Sequence, residues 1–234
     1  MATPIIPISR DQREEPVPAQ IYLQPIAAPS ILGLYGFAGA TFMVAAHMAH
    51  WYGSATTDFY LMPFAVLFGG VAQFSAGMWS FKARDGVATA MHGMWGAFWI
   101  AWGLLQLGIV SGKIAEPHGA APGLAYWFVV LAAITWMGMW GAAAESKIIA
   151  SVLGFLAAGS TVYAIAEFIG STGTAILAGY LFIISAVLAW YAASALMLEG
   201  AFKHPVLGLG KTQQAKQEPK LVPGRGEPGV IRGQ

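Results

Sequence analysis

Two long runs without a charged side chain constrain this chain more than any other feature. Residues 60–80 contain no Asp, Glu, Lys or Arg, and neither do residues 87–112. At a rise of ~1.5 Å per residue, each run is long enough for a helix to cross a hydrocarbon layer of ~30 Å. The short segment between them carries Lys82, Arg84 and Asp85. The pattern predicts a helical hairpin that spans a membrane twice.

Further apolar runs of similar length extend this interpretation to most of the chain. Hydrophobic residues make up 57% of the sequence and charged residues 10%, whereas soluble domains have about 25% charged residues. We predict an all-α integral membrane protein with six transmembrane helices per protomer. The predicted spans are residues 31–52, 59–81, 87–111, 123–144, 148–170 and 172–198.

Composition divides the chain into three regions. Residues 1–29 are predicted to be a Pro-rich arm, residues 30–203 a six-helix membrane domain, and residues 204–234 a basic tail rich in Gly and Pro. An even number of spans places both termini on the same side of the membrane.

Lys and Arg residues near the helix ends predict which side that is. Lys82, Arg84, Lys147 and Lys203 would lie on the side of the termini, with only Lys113 on the other side. Because cytoplasmic loops carry an excess of Lys and Arg, we expect a multi-pass protein of the cell (plasma or inner) membrane with both termini in the cytoplasm.

Several classes of function are disfavoured by the sequence. A net charge of +1 gives no electrostatic basis for binding nucleic acid. The chain has no cysteine, and no nucleophile and base are placed to act together, so we predict that it is not an enzyme and has no cofactor. His47 and His50 lie ~15–20 Å from His92 along the membrane normal at 1.5 Å per residue, so no metal site is predicted.

The remaining polar groups suit a path for a small solute. Thr41, Gln73 and Thr89 are candidates to line such a path, and Glu167 lies about one turn from the outer end of the fifth helix. Trp95, Trp99 and Trp102 form one stripe on the third helix, for which packing is favoured over a role in conduction.

Four segments resemble a known family. They are ILGLYGF at 31–37, FGGVAQFSAGMW at 68–79, GAFW at 96–99 and LAWYAASALMLEGAFKHPVLGLG at 188–210. In this order they resemble the acetate uptake transporters, the succinate–acetate permease group. The resemblance implies six-helix protomers assembled as a homo-hexamer in the lipid bilayer, each with its own path for small carboxylates.

The resemblance also implies a mid-membrane constriction, formed here by Phe37, Trp95 and Leu156. A Tyr is usual where Trp95 stands, and the Asn of the family signature before the first helix is absent, which leaves the choice of substrate open. The start of the first helix offers unpaired N–H groups that favour an anion. The predicted binding residues there are Ser30, Ile31, Leu32, Gly33 and Leu34.

The predicted function is a channel or transporter for small monocarboxylates such as acetate, with succinate as a second candidate. A small acid with a pKa of roughly 4–5 sheds its charge by taking up a proton, so transport is expected to be proton-linked or to carry the protonated acid. Two alternatives remain at this point: a channel for a neutral solute such as urea, ammonia or water, and a non-transporting membrane sensor or assembly subunit.

Overall fold

Six long helices make up nearly all of the described chain. The computed structural model describes residues 26–117 and 119–213, and in these ranges it contains no β-strand. The helices are α1 (Ser30–Met48), α2 (Thr57–Ala83), α3 (Gly86–Val110), α4 (Pro122–Ala143), α5 (Lys147–Ile169) and α6 (Thr172–Phe202). All six are long and apolar enough to cross a membrane.

The prediction of an all-α fold with six spans is therefore confirmed, and the chain is a multi-pass membrane protein. Two predicted ends differ from the structure by four residues, and the others agree within two: α1 ends at Met48 rather than at residue 52, and α6 continues to Phe202 rather than stopping at 198. The first difference arises because His50 adopts a left-handed conformation, with φ of 60°, that a helix does not continue through. Most of the predicted N-terminal arm, up to residue 25, and the predicted tail from residue 214 lie outside the described residues.

Polar side chains in three short connections cap the N-termini of α3, α5 and α6. Asp85 Oδ1 accepts a hydrogen bond of 2.8 Å from the N–H of Ala88 at the start of α3. Ser146 and Ser171 cap α5 and α6 in the same way. These caps satisfy N–H groups that the first turn of a helix leaves without a partner. The short turns before α3, α5 and α6 are thereby well defined.

Helix α2 is interrupted by a π-helical segment, Ala65–Ala72. The segment begins two residues after Pro63, which has no backbone N–H and so breaks the regular hydrogen-bond ladder. Within it, Gly69 lies so close to α1 that a Cβ there would be 2.5 Å from the Cβ of Ala40. The π-helical segment, whose turns are wider than those of an α-helix, therefore lies where α1 and α2 approach each other closely.

The helices form a ring in chain order. Each helix packs on the next, and α6 returns to pack on α1. The α4–α5 pair, which the short turn at residues 145–147 predicts to be neighbours, packs along its length. Helices α3 and α4 touch over a much smaller region. This loose contact leaves room for cavities inside the ring.

Candidate substrate path

Two cavities enter the ring from opposite ends. The large cavity, of about 520 Å³, lies at the end where α1 joins α2, α3 joins α4 and α5 joins α6. The small cavity, of about 250 Å³, lies at the other end, beside the α2–α3 and α4–α5 turns and residues 209–211. Their walls face each other along the axis of the bundle.

The barrier between the cavities is thin. On three helices the wall passes from one cavity to the other, over four residues on α3 and α5 and over seven residues on α1. The residues, with the small cavity first, are Leu34 and Thr41 on α1, Met91 and Trp95 on α3, and Val152 and Leu156 on α5. A step of four residues along α3 or α5 corresponds to ~6 Å. One to two helical turns of mostly apolar side chains thus separate the two spaces.

The three residues of the predicted constriction lie at this level. Phe37, Trp95 and Leu156 are 3%, 3% and 2% exposed. Trp95 and Leu156 line the large cavity, and Phe37 lines neither cavity but contacts Trp95 edge to face, with ring centroids 6.4 Å apart. Trp95 Nε1 donates to Thr135 Oγ1 at 3.1 Å, which holds the indole in place. Their role as a constriction stays a prediction.

The predicted polar candidates divide into two groups. Thr41 and Glu167 line the large cavity. Gln73 is 2% exposed and lines neither cavity, and its Oε1 has no hydrogen-bond partner. Thr89 lies in the first turn of α3, where its hydroxyl donates to the backbone carbonyl of Asp85 at 2.7 Å. Only the first two residues are therefore placed beside an open space.

The predicted site at the start of α1 is only partly open to the small cavity. Ser30 and Leu34 line this cavity, whereas Ile31, Leu32 and Gly33 do not. The N–H groups of Ile31 and Gly33 already donate to backbone carbonyls in the preceding turn, at 3.1 and 3.2 Å. A helix start normally leaves its first N–H groups unpaired, but here two of them are already bonded and cannot bind an anion.

A buried histidine lines the small cavity as well. His92 is 5% exposed, and its Nε2 lies 3.3 Å from Ser30 Oγ. A Cβ on Gly33 would lie 2.5 Å from the imidazole, so α1 can approach only because this residue is glycine. From the sequence, His92 was considered only as a possible metal ligand. The feature of the sequence that indicated its burial beside a cavity is that it is a single histidine within a charge-free span.

Residues at the ends of α1, α2 and α5 and in the α3–α4 connection make the large cavity acidic. Its walls include His47, Asp58, Glu116 and Glu167, and none of its described lining residues is Lys or Arg. His47 Nε2 lies 3.8 Å from Asp58 Oδ1. Sequence reasoning missed Asp58 and Glu116 because they lie far apart in the chain, near helix ends. Among the described residues, no three His, Asp or Glu side chains are grouped closely enough to hold a metal ion.

The segment after α6 forms part of the wall of the small cavity. We call residues 207–212 the terminal segment. Its Leu209 is buried, lines the small cavity, and accepts a hydrogen bond of 2.7 Å from Ser146 Oγ through its carbonyl. Lys211 forms an ion pair with Glu199 at 2.8 Å. The terminal segment is thus held against the α4–α5 turn at the edge of the small cavity.

Known proteins resemble this chain in sequence and in fold. The Ammonia transport outward protein 2 of Saccharomyces cerevisiae is 29% identical over 72% of this chain, and the match spans 61% of that relative's length. The Succinate-acetate/proton symporter SatP of Escherichia coli is 24% identical over 80% of this chain and 97% of its own length. The solved structure of the bacterial acetate channel SatP superposes with a TM-score of 0.74 at 23% identity, covering 80% of this chain and 100% of that one.

The solved structure supports the fold, since 23% identity is too low to carry more. The sequence model of one family matches residues 12–207, which is most of the chain. This match confirms the resemblance drawn from the four sequence segments. The chain belongs to the GPR1/FUN34/yaaH family.

Proposed function

We propose that the protein conducts small monocarboxylates such as acetate across the membrane through a path within each protomer. The main support for this proposal is the pair of cavities, which are separated by one to two helical turns of mostly apolar side chains. The apolar side chains of this barrier cannot replace the water shell of an ion, and the indole N–H of Trp95 is already bonded to Thr135. A small molecule that sheds its charge can cross it.

The charges around the large cavity support passage of the uncharged acid. Asp58, Glu116 and Glu167 stand in its wall, and no Lys or Arg balances them among the described lining residues. Carboxylates in a wall repel a carboxylate anion and favour its protonated form. Transport of the acid carries one proton with each substrate, so the flux is proton-linked. The relatives named for acetate support this substrate class.

The assembly and orientation follow the predictions from the sequence. We propose a homo-hexamer in the cell membrane with both termini in the cytoplasm, so that the large cavity opens to the outside. A cysteine introduced near the C-terminus would be the only one in the chain. In intact cells it is expected to resist a membrane-impermeant thiol reagent, and labelling from outside would overturn the orientation.

The test of function is uptake of labelled acetate by proteoliposomes across a pH gradient. Uptake is expected to exceed that of protein-free liposomes and to rise as the external pH falls. Leu156→Trp, which overfills the barrier, serves as a protein-containing control once its folding has been checked by size exclusion. No acetate flux above this control would overturn the proposal.

A second solute is measured in the same liposomes. The yeast relative is named for ammonia transport, and an acidic cavity also suits a cation or a weak base. Ammonia flux that acetate does not compete with, in the absence of acetate uptake, would favour the neutral-solute alternative.

A further inference from the structure

We infer that Thr41 and Trp99 form a binding site for the uncharged carboxyl group of the substrate, on the large-cavity side of the barrier. The inference rests on the proposed function and adds the residues that hold the substrate. Both residues line the large cavity, and they are 5% and 4% exposed. Thr41 Oγ1 and Trp99 Nε1 have no hydrogen-bond partner among the described residues.

The missing partner sets Thr41 apart from the other helical hydroxyls. A Ser or Thr within a helix usually donates to the carbonyl four residues earlier, and Thr135, Ser160 and Thr161 do so here at 2.7–2.8 Å. Thr41 makes no such bond. A buried hydroxyl without a partner destabilises the fold, so its retention in a cavity wall points to a ligand.

Trp99 differs from other tryptophans in the same respect. Trp95, Trp136 and Trp51 donate their Nε1–H to a Thr or Tyr hydroxyl at 3.1–3.4 Å. Trp99 is buried, yet its indole N–H donates to no described group. Its ring is instead fixed by stacking edge to face on Phe98 and Trp102.

Gly69 of the π-helical segment lies between Trp99 and Ala40, the residue that precedes Thr41 on α1. A Cβ on Gly69 would lie 2.5 Å from Ala40 Cβ, next to Thr41 in the chain, and 2.7 Å from Trp99 Cδ1, which is bonded to Nε1. Because residue 69 is glycine, both α1 and the indole of Trp99 can pack directly against the backbone of α2 there. Thr41 presents a hydroxyl to the cavity from α1, and Trp99 presents an N–H donor from α3, on the other side of α2.

This pair matches the hydrogen-bonding pattern of a carboxylic acid. Trp99 Nε1–H can donate to the carbonyl oxygen of the acid, and Thr41 Oγ1 can accept from its O–H. Trp95 and Leu156, in the same wall, offer apolar surface to a methyl group. A hydroxyl can also donate, so the pair alone fits a carboxylate too.

The surrounding charges select the uncharged form. The titratable groups that line the large cavity are His47, His50, Asp58, Glu116, Tyr163 and Glu167. With three carboxyl groups and no Lys or Arg among them, an anion is repelled by ionised neighbours and loses its water shell without compensation.

The test is binding of acetate followed by fluorine NMR. The full chain is labelled with 5-fluorotryptophan and placed in lipid nanodiscs, and the Trp99 resonance is identified by its absence from Trp99→Phe. It is expected to shift on acetate addition at pH 5 and much less at pH 7.5 at the same total concentration. Thr41→Val is expected to weaken binding about tenfold, the value of one lost hydrogen bond, whereas Thr41→Ser is expected to retain it.

Two controls make the test specific. Thr161→Val and Trp136→Phe remove the same groups outside both cavities and are expected to leave binding unchanged. Acetamide has the same carbonyl and a donor but does not ionise, so it is expected to shift the Trp99 resonance equally at both pH values. A loss of the acetamide shift at pH 7.5 would show that the cavity wall titrates, and it would overturn the assignment to the uncharged acid.

Two results would overturn the site itself. One is unchanged acetate affinity in Thr41→Val, and the other is a Trp99 shift that is larger at pH 7.5 than at pH 5. Either result alongside normal acetate uptake in proteoliposomes would leave the proposed function standing. The expected shifts without any uptake would keep the site and overturn the transport.

Discussion

The large and the small cavity differ in how their polar side chains are satisfied. Around the small cavity, His92 lies against Ser30, Ser146 donates to Leu209, and Lys211 pairs with Glu199. Around the large cavity, Thr41 Oγ1 and Trp99 Nε1 have no described partner. The polar groups around the small cavity are paired within the chain, whereas two buried polar groups of the large cavity are available to a ligand.

The comparison indicates that the large cavity binds a ligand and that the small cavity is stabilised by contacts within the chain. Paired polar groups stabilise a fold, and unpaired ones cost stability unless a ligand satisfies them. The apolar barrier separates the cavity with paired polar groups from the cavity with unpaired ones. Variants on each side of it, and within it, therefore test the comparison directly.

The largest effect is expected from Trp95→Ala, which removes the wall between the cavities. A barrier lowered by ~1.4 kcal/mol raises flux about tenfold, so acetate flux is expected to rise and chloride and succinate to leak. The truncation also costs ~3–5 kcal/mol of stability, so fluxes are normalised to folded protein. Trp136→Ala, outside both cavities, is the control. Unchanged selectivity in folded Trp95→Ala would return this residue to a packing role.

The next effect concerns the closure of the small cavity. Leu209→Glu places a charge at a buried position and is expected to detach the terminal segment. Because the chain has no cysteine, Ala88→Cys in the small cavity reports access, and its labelling by a thiol reagent is expected to become several-fold faster. Val206→Glu, at a position that is 45% exposed, is the matched control. Equal labelling rates in all three proteins would contradict closure by this segment.

A pair of substitutions is expected to shift stability in opposite directions. Ser30→Ala leaves His92 without its partner and is expected to cost ~1 kcal/mol, or about 2–4 °C in Tm. Thr41→Val replaces an unpaired hydroxyl by a methyl group and is expected to raise Tm by about 2 °C. Thermal unfolding in detergent measures both. A fall in Tm for Thr41→Val would mean that its hydroxyl is satisfied in the folded protein.

The smallest effect is expected at Glu145, in the α4–α5 turn beside the small cavity. Burial raises the pKa of the Glu145 carboxyl, and the neighbouring Asp85 carboxylate raises it further. With a folded-state pKa above the ordinary value of about 4.3, the folded protein binds this proton more tightly than the unfolded chain does. Stability from this group is therefore gained as pH falls through the raised pKa and lost above it.

Glu145→Gln mimics the protonated group and is expected to raise Tm at pH 7 by about 1 °C or less, because the side chain is exposed and screened. The advantage should vanish near pH 4. The same gain at pH 4 and at pH 7 would rule out a charge effect.

The sequence was enough for the spans and the family, because charge-free runs and four motifs are local patterns. Thr41 and Glu167 were also predicted to line a path, and both line the large cavity. The sequence did not reveal that Trp99 faces this cavity or that Asp58 and Glu116 join its wall. Those placements depend on how α3 rotates and how separate connections converge, which a single sequence does not encode locally.

The terminal segment has a consequence for the order of events during synthesis. Leu209 and its hydrogen bonds to the α4–α5 turn come after all six helices in the chain. Since the polypeptide emerges from its N-terminus onward, the spans enter the bilayer before this segment can reach its place. The nascent bundle is therefore open at one end. The last described residues to leave the ribosome complete it.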